Sequence, residues 1–222
     1  MTGYDRKTLL MAALLSGLAG FVDATGFLAT GGFFLSFMSG NSTRFGVGIA
    51  QNAGFAMTAG GLIGSFLLGV IGGSLIGRKA GEHRRAVLLL TIATCLGGAA
   101  LLEQVAGDLP FVTSVALGMI AFAMGAENLV FETNGEVRFG LTYMTGTLVK
   151  IGQRIANAIA GGDRWEWARY LFLWSGLICG GVAGALAYPR LGLDALWIPA
   201  ALAAALAIVL LRTPLRRMAL RR

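Results

Sequence analysis

Charge is what this chain has least of. Charged side chains make up 13% of its 222 residues, against roughly 25% in soluble domains, and the mean hydropathy is +0.73. That excludes an ordinary water-soluble domain and leaves an all-α polytopic membrane protein. Histidine is nearly missing: His83 is the sole copy, set in a basic loop where it reads as solvated. A histidine-based metal site or triad within one chain is therefore not expected. The two cysteines, Cys95 and Cys179, lie inside hydrophobic stretches without CxxC or histidine spacing and read as small packing residues. No HExxH, GxSxG or paired-aspartate motif occurs, so neither enzymatic activity nor a cofactor is expected. Acidic residues are also few, 11 against 18 Lys and Arg, for a net charge of +7. The cations flank hydrophobic windows, where the positive-inside rule accounts for them without a nucleic-acid partner.

Long apolar runs are what the chain has in abundance. Crossing about 30 Å of hydrocarbon takes a helix of about 20 residues, and windows of that length fall at 8–27, 55–77, 86–105, 111–131, 169–188 and 193–211. The first lacks a small-residue cleavage site and is expected to stay as a span rather than leave as a signal peptide. The second carries Gly61, Ser65, Gly69, Gly73 and Gly77 at intervals of four, and the fifth carries Gly176, Gly180 and Gly184. Such stripes let another helix come close, within the chain or in a homo-oligomer.

Between the windows lies an internal repeat. Ser36-Phe37-Met38-Ser39-Gly40-Asn41-Ser42-Thr43-Arg44-Phe45-Gly46 recurs 106 positions later as Thr142-Tyr143-Met144-Thr145-Gly146-Thr147-Leu148-Val149-Lys150-Ile151-Gly152. Ile49-Ala50 and Ile155-Ala156 continue the match. Each copy opens a short helix, over 39–51 and 145–160, too short and polar to span alone. The second is amphipathic, with Leu148, Ile151, Ile155 and Ile159 on one face and Lys150, Gln153, Arg154 and Asn157 on the other.

Charge parity orients these pieces. The N-terminus with Arg6 and Lys7, the loop 78–85 and the tail ending Arg221-Arg222 are all basic and are all expected on the cytoplasmic side. An even number of crossings must then separate each pair, so neither motif segment crosses. On that arrangement every Lys and Arg except Arg44 and Arg190 falls on the inner half. The expectation is six transmembrane helices plus two short non-spanning half-helices in a 3+3 inverted-topology repeat, 1–106 and 107–222. Inverted repeats commonly bind solute near the bilayer midplane, where interrupted helices meet.

The motif suits that place. Ser39 and Thr145 are good N-cap residues, Gly40 and Gly146 permit an irregular backbone, and a half-helix starting there aims N–H groups and its positive end inward. Arg44 and Lys150, about one turn on, need a counter-ion, a wet cavity or an anionic ligand. Asp23 and Glu127 are the available carboxylates, for ion pairs with Arg44 and Lys150 or for carrying a proton. Asn128 is an equally good counterpart of Asp23. Arg138 and Arg154 read as snorkelling to the inner headgroups.

GFVDATGFL, SFMSGNSTRFG, the AMGAEN segment and TYMTGTLVKIG together resemble the YoaK-like family of bacterial inner-membrane proteins, a domain of unknown function. The likeness runs over nearly the whole chain. It implies a compact, multi-pass inner-membrane protein and supplies no substrate. The family usually has an uncharged, glutamine-like residue where this chain has Glu127.

Two functions follow as expectations. One is a small-solute transporter or channel for an anionic or carboxylate-bearing solute, its site lined by Ser39, Gly40, Asn41, Ser42, Thr43, Arg44, Thr145, Gly146, Thr147 and Lys150. The other is a non-transporting module in the lipid bilayer, whose amphipathic 147–160 helix binds anionic lipid or a partner protein.

Overall fold

The computed structural model describes residues 6–109, 111–133, 136–137 and 144–212. Thr142, Tyr143, Arg138 and the tail from 213 lie outside the described residues. Among the described residues eight α-helices run in order: α1 (Arg6–Thr30), α2 (Met38–Gln51), α3 (Ala53–Ala80), α4 (Arg84–Ala106), α5 (Val112–Glu127), α6 (Met144–Ile159), α7 (Ala168–Leu191) and α8 (Trp197–Arg212). A two-residue pair of strands, β1 (Glu132–Thr133) and β2 (Glu136–Val137), sits between α5 and α6. The architecture is all-α and membrane-spanning: the stretches Arg6–Thr30, Ala53–Ala106 and Ala168–Arg212 are each long and apolar enough to cross a bilayer. A helix satisfies its own backbone, which is why hydrocarbon admits it.

The fourth window, 111–131, yields a shorter helix than its hydropathy predicts. α5 stops at Glu127, where the chain enters a turn and then the hairpin that sets Glu132 opposite Val137. Arg84 at the head of α4 binds the Glu132 carboxylate, and the Arg85 guanidinium stands 5.6 Å from the centre of the Phe131 ring. The polar chain after α5 is thereby tied to α4 rather than wound on as helix.

Two glycine seams join the helices. α1 packs along α7, and α3 along α5. A Cβ on Gly180 would run into the Gly17 carbonyl, and one on Gly184 into that of Phe21; a Cβ on Gly20 would strike the Leu177 carbonyl. In the other seam, a Cβ on Gly69 would strike the Phe122 carbonyl, one on Gly73 would press on Ala126, and one on Gly125 would strike the Phe66 carbonyl. Gly69 and Gly73 of the first ladder and Gly176, Gly180 and Gly184 of the second are thus taken up inside the chain, where missing side chains let backbones touch, while Gly61 has nothing within 4 Å. α4 fills the space between α5 and α8 with Leu88, Leu89, Ile92 and Leu96, all fully buried. Cys95 and Cys179 are free thiols.

Candidate functional site

After α1 the chain doubles back. Gly31 and Gly32 adopt positive φ, 67° and 126°, a backbone that costs glycine little, and the Gly32 amide donates to the Phe27 carbonyl at 2.8 Å. The Phe33 amide donates to the Thr30 hydroxyl at 2.9 Å. Residues 33–37 then run back beside α1 as far as Asp23. One Asp23 oxygen accepts from the Leu35 amide at 2.8 Å and the Ser36 amide at 2.6 Å; the other accepts from the Ser36 hydroxyl at 2.6 Å. Asp23 lies seven residues below the end of α1, about 10 Å at 1.5 Å per residue. α2 therefore starts well below the end of α1 and runs outward again.

Asn41 clamps the same loop from the other side. Fully buried, it accepts from the Phe34 amide at 3.0 Å and donates to the Phe34 carbonyl at 2.6 Å. Asp23 and Asn41 together satisfy the amides of three consecutive residues that no helix or strand would otherwise pair.

This anchoring changes the capping expected from sequence. α2 begins at Met38 with Phe37 in the cap position and no side-chain cap, so Ser39 is its second residue rather than its N-cap. α6 already includes Met144, so Thr145 lies within the helix rather than at its N-cap. In α2 the reason is tertiary: the Asp23 carboxylate serves the amides just before the helix, leaving Ser39 free.

The openings of the two motif helices come together. A cavity of about 190 Å³ is lined by Ser36, Phe37, Met38 and Ser39 from the first copy, Met144, Thr145 and Gly146 from the second, and Phe66 of α3. Beside it, a wider cleft of about 520 Å³ carries Asp23 and Thr145 on a mostly apolar wall shared with α7. Neither motif helix has an acidic residue in its first turn.

The remaining expected site residues lie elsewhere. Gly40 faces the rings of Phe34 and Phe37. The Ser42 and Thr43 hydroxyls donate back to the Met38 and Ser39 carbonyls at 2.9 and 3.3 Å on the exposed face of α2, and Thr147 is half-buried one residue beyond the cavity lining. Arg44 does not pair with Asp23: its guanidinium sits 5.1 Å from the Phe33 ring, because the carboxylate is already spent on the loop amides. Lys150 does not pair with Glu127 either. It is exposed, with its ammonium 5.7 Å from the Tyr170 ring at the α6–α7 corner. There Glu166 bridges Arg154 at 3.0 Å and Arg169 at 2.6 Å, and Trp165 stacks on Trp167 at 6.1 Å.

Glu127 is fully buried, and neither of its carboxyl oxygens has a hydrogen-bond partner. Asp23 lies close enough to act on it electrostatically. Asn128, next along, donates to the Met124 carbonyl at 3.0 Å. Sequence reading marked both positions but missed Asn41 and Ser36 as loop anchors. The usable signal was spacing, since a reversal at Gly31-Gly32 returns an extended chain to Asp23 within a few residues.

Residues 11–209 match the family described as "Protein of unknown function (DUF1275)". The chain is also 35% identical over 209 residues to UPF0700 transmembrane protein RA0705 of Rhizobium meliloti (strain 1021), covering 94% of this chain and 88% of that protein. No solved structure matches.

Proposed function

The chain belongs to the DUF1275 family of multi-pass bacterial inner-membrane proteins, and from that premise we propose a small-solute transporter or channel whose site is the cavity between the α2 and α6 openings. The observation that carries the reading is that cavity. Two short helices begin on it, their N-terminal ends favour a negative group, and the hydroxyls of Ser39 and Thr145 supply polar contacts. At about 190 Å³ the cavity is small, which suits a small solute. A small carboxylate or other small oxyanion fits this chemistry.

The same reading takes the chain as six spans and two half-helices in an inverted repeat. Support comes from the two seams. Gly17 facing Gly180, Phe21 facing Gly184 and Gly20 facing Leu177 are matched by Phe122 facing Gly69, Ala126 facing Gly73 and Gly125 facing Phe66. Moving 105 positions on from α1 and 111 back from α7 carries each contact into its counterpart. In this register Asp23 corresponds to Asn128, and Glu127 to Val22. An exchange of this kind is what a two-fold axis in the membrane plane produces.

The test uses proteoliposomes holding Ser39→Cys or Thr145→Cys in a background with Cys95 and Cys179 replaced by alanine. Uptake of radiolabelled lactate is compared with that of glycerol. Lactate flux is expected in the unlabelled protein, and a bulky thiol reagent at either position is expected to stop it. Flux that persists after complete labelling at both positions would remove the cavity from the pathway.

A further inference from the structure

We propose that Glu127 is a proton-binding site of the transport cycle, occupied in the conformation described above. The proposal rests on the transport reading and adds the coupling ion and its position. Geometry selects this residue. Among the described residues it is the one carboxyl with both oxygens buried and unpartnered. Around it, Ala123, Met124, Ala126, Val130 and Phe131 belong to the apolar core.

The surroundings leave little else to neutralise it. On α1 the facing ionisable group is Asp23, a carboxylate that would repel a second negative charge. On α3 the residues from 62 to 77 that run along α5 include no ionisable side chain. On α4, Arg84 is engaged by Glu132 and Arg85 stands over Phe131. No third histidine, cysteine or acidic side chain joins Asp23 and Glu127 among the described residues, and a metal cation would need several oxygen ligands that alkyl groups cannot supply. A lone carboxylate in such a core is strongly disfavoured, whereas a neutral carboxylic acid is tolerated.

Asp23 is not the carrier. Both of its oxygens already accept from the loop that starts α2, and a proton taken up there would compete with those donors. The two carboxyls thus divide the work: Asp23 holds the half-helix in place, and Glu127 gains or loses charge. The step is a simple protonation. A Glu127 carboxylate oxygen takes a proton from water when the α1–α5 crossing opens to one side, and returns it to water on the other, with no other bond made or broken. Loss of the proton leaves an anion that the closed core rejects, which ties its release to the opening of the crossing.

Two measurements on purified protein in lipid test this. Infrared spectroscopy at neutral pH should show a protonated carboxylic-acid carbonyl band that Glu127→Gln removes and Asp23→Asn retains. A spectrum unchanged by Glu127→Gln would overturn the proposal. Aqueous labelling of Ser39→Cys, in the background free of native cysteines and normalised at each pH to the same thiol in unfolded protein, should change between acid and alkaline pH, and adding Glu127→Gln should hold the normalised value at that seen in acid. Identical pH profiles with and without Glu127→Gln would overturn the coupling. Neither readout needs a solute, so a protein that passes both yet carries no lactate refutes the transport reading while leaving the proton site standing.

Discussion

Replacing Gly180 with alanine is expected to destabilise the protein by about 1–3 kcal/mol, the cost of forcing atoms into a closely packed contact. The added methyl meets the backbone carbonyl of Gly17, which cannot rotate aside as a side chain would. Gly69→Ala should cost a similar amount, because its methyl meets the Phe122 carbonyl in the other seam. Two neighbours act as controls. A Cβ on Gly181 would meet the Gly20 carbonyl at 3.7 Å, an ordinary contact, and one on Gly61 would meet nothing within 4 Å. Unfolding followed by circular dichroism in mixed micelles should separate the four variants into two severe and two near-neutral. If Gly181→Ala proves as costly as Gly180→Ala, the damage does not come from the close backbone contact, since alanine is the better helix former at both positions, and the seam is not what holds α1 to α7.

Most of the helical layout could be read from the sequence because membrane helices obey a local rule: each satisfies its own backbone, so apolar length alone marks it. The two short helices were legible for a different reason, the recurrence of Met38-Ser39-Gly40 as Met144-Thr145-Gly146. What failed was pairing. Asp23 and Glu127 are the carboxylates the sequence offers Arg44 and Lys150 as partners, yet each cation lies against an aromatic ring, Phe33 and Tyr170, while Asp23 serves backbone amides twelve and thirteen residues on. Opposite charges in a sequence say nothing about which donors will be nearest after the chain folds back. Capping failed for a related reason: Asp23, from another helix, fixes the chain at residues 35 and 36, so α2 starts at Met38 with no side-chain cap and Ser39 falls inside its first turn. Glu127 stood out by composition, but only the packed core revealed that it has no partner.

Asp23→Ala is expected to be the most damaging single change near the site, and Asp23→Asn much milder. Alanine removes the acceptor for the Leu35 and Ser36 amides, on residues that are 0% and 2% exposed. Each buried donor left unpaired costs about 1–3 kcal/mol, so the re-entrant loop should detach from α1 and α2 should lose its fixed start. Asparagine can keep its carbonyl oxygen toward both amides and let the Ser36 hydroxyl accept from its NH₂ group, so the anchor survives the loss of charge. The comparison separates two roles for the carboxylate. An ion pair with Arg44 would make asparagine nearly as harmful as alanine, since both abolish the charge. A loop anchor makes alanine far worse, as the hydrogen bonds to residues 35 and 36 require. Thermal unfolding in detergent ranks the stabilities, and labelling of Ser39→Cys reports whether the cavity wall is still in place. Equal losses for Asp23→Asn and Asp23→Ala would return Asp23 to the role of counter-ion; retention of both fold and labelling pattern in Asp23→Asn alone would fix it as the residue that positions the first half-helix.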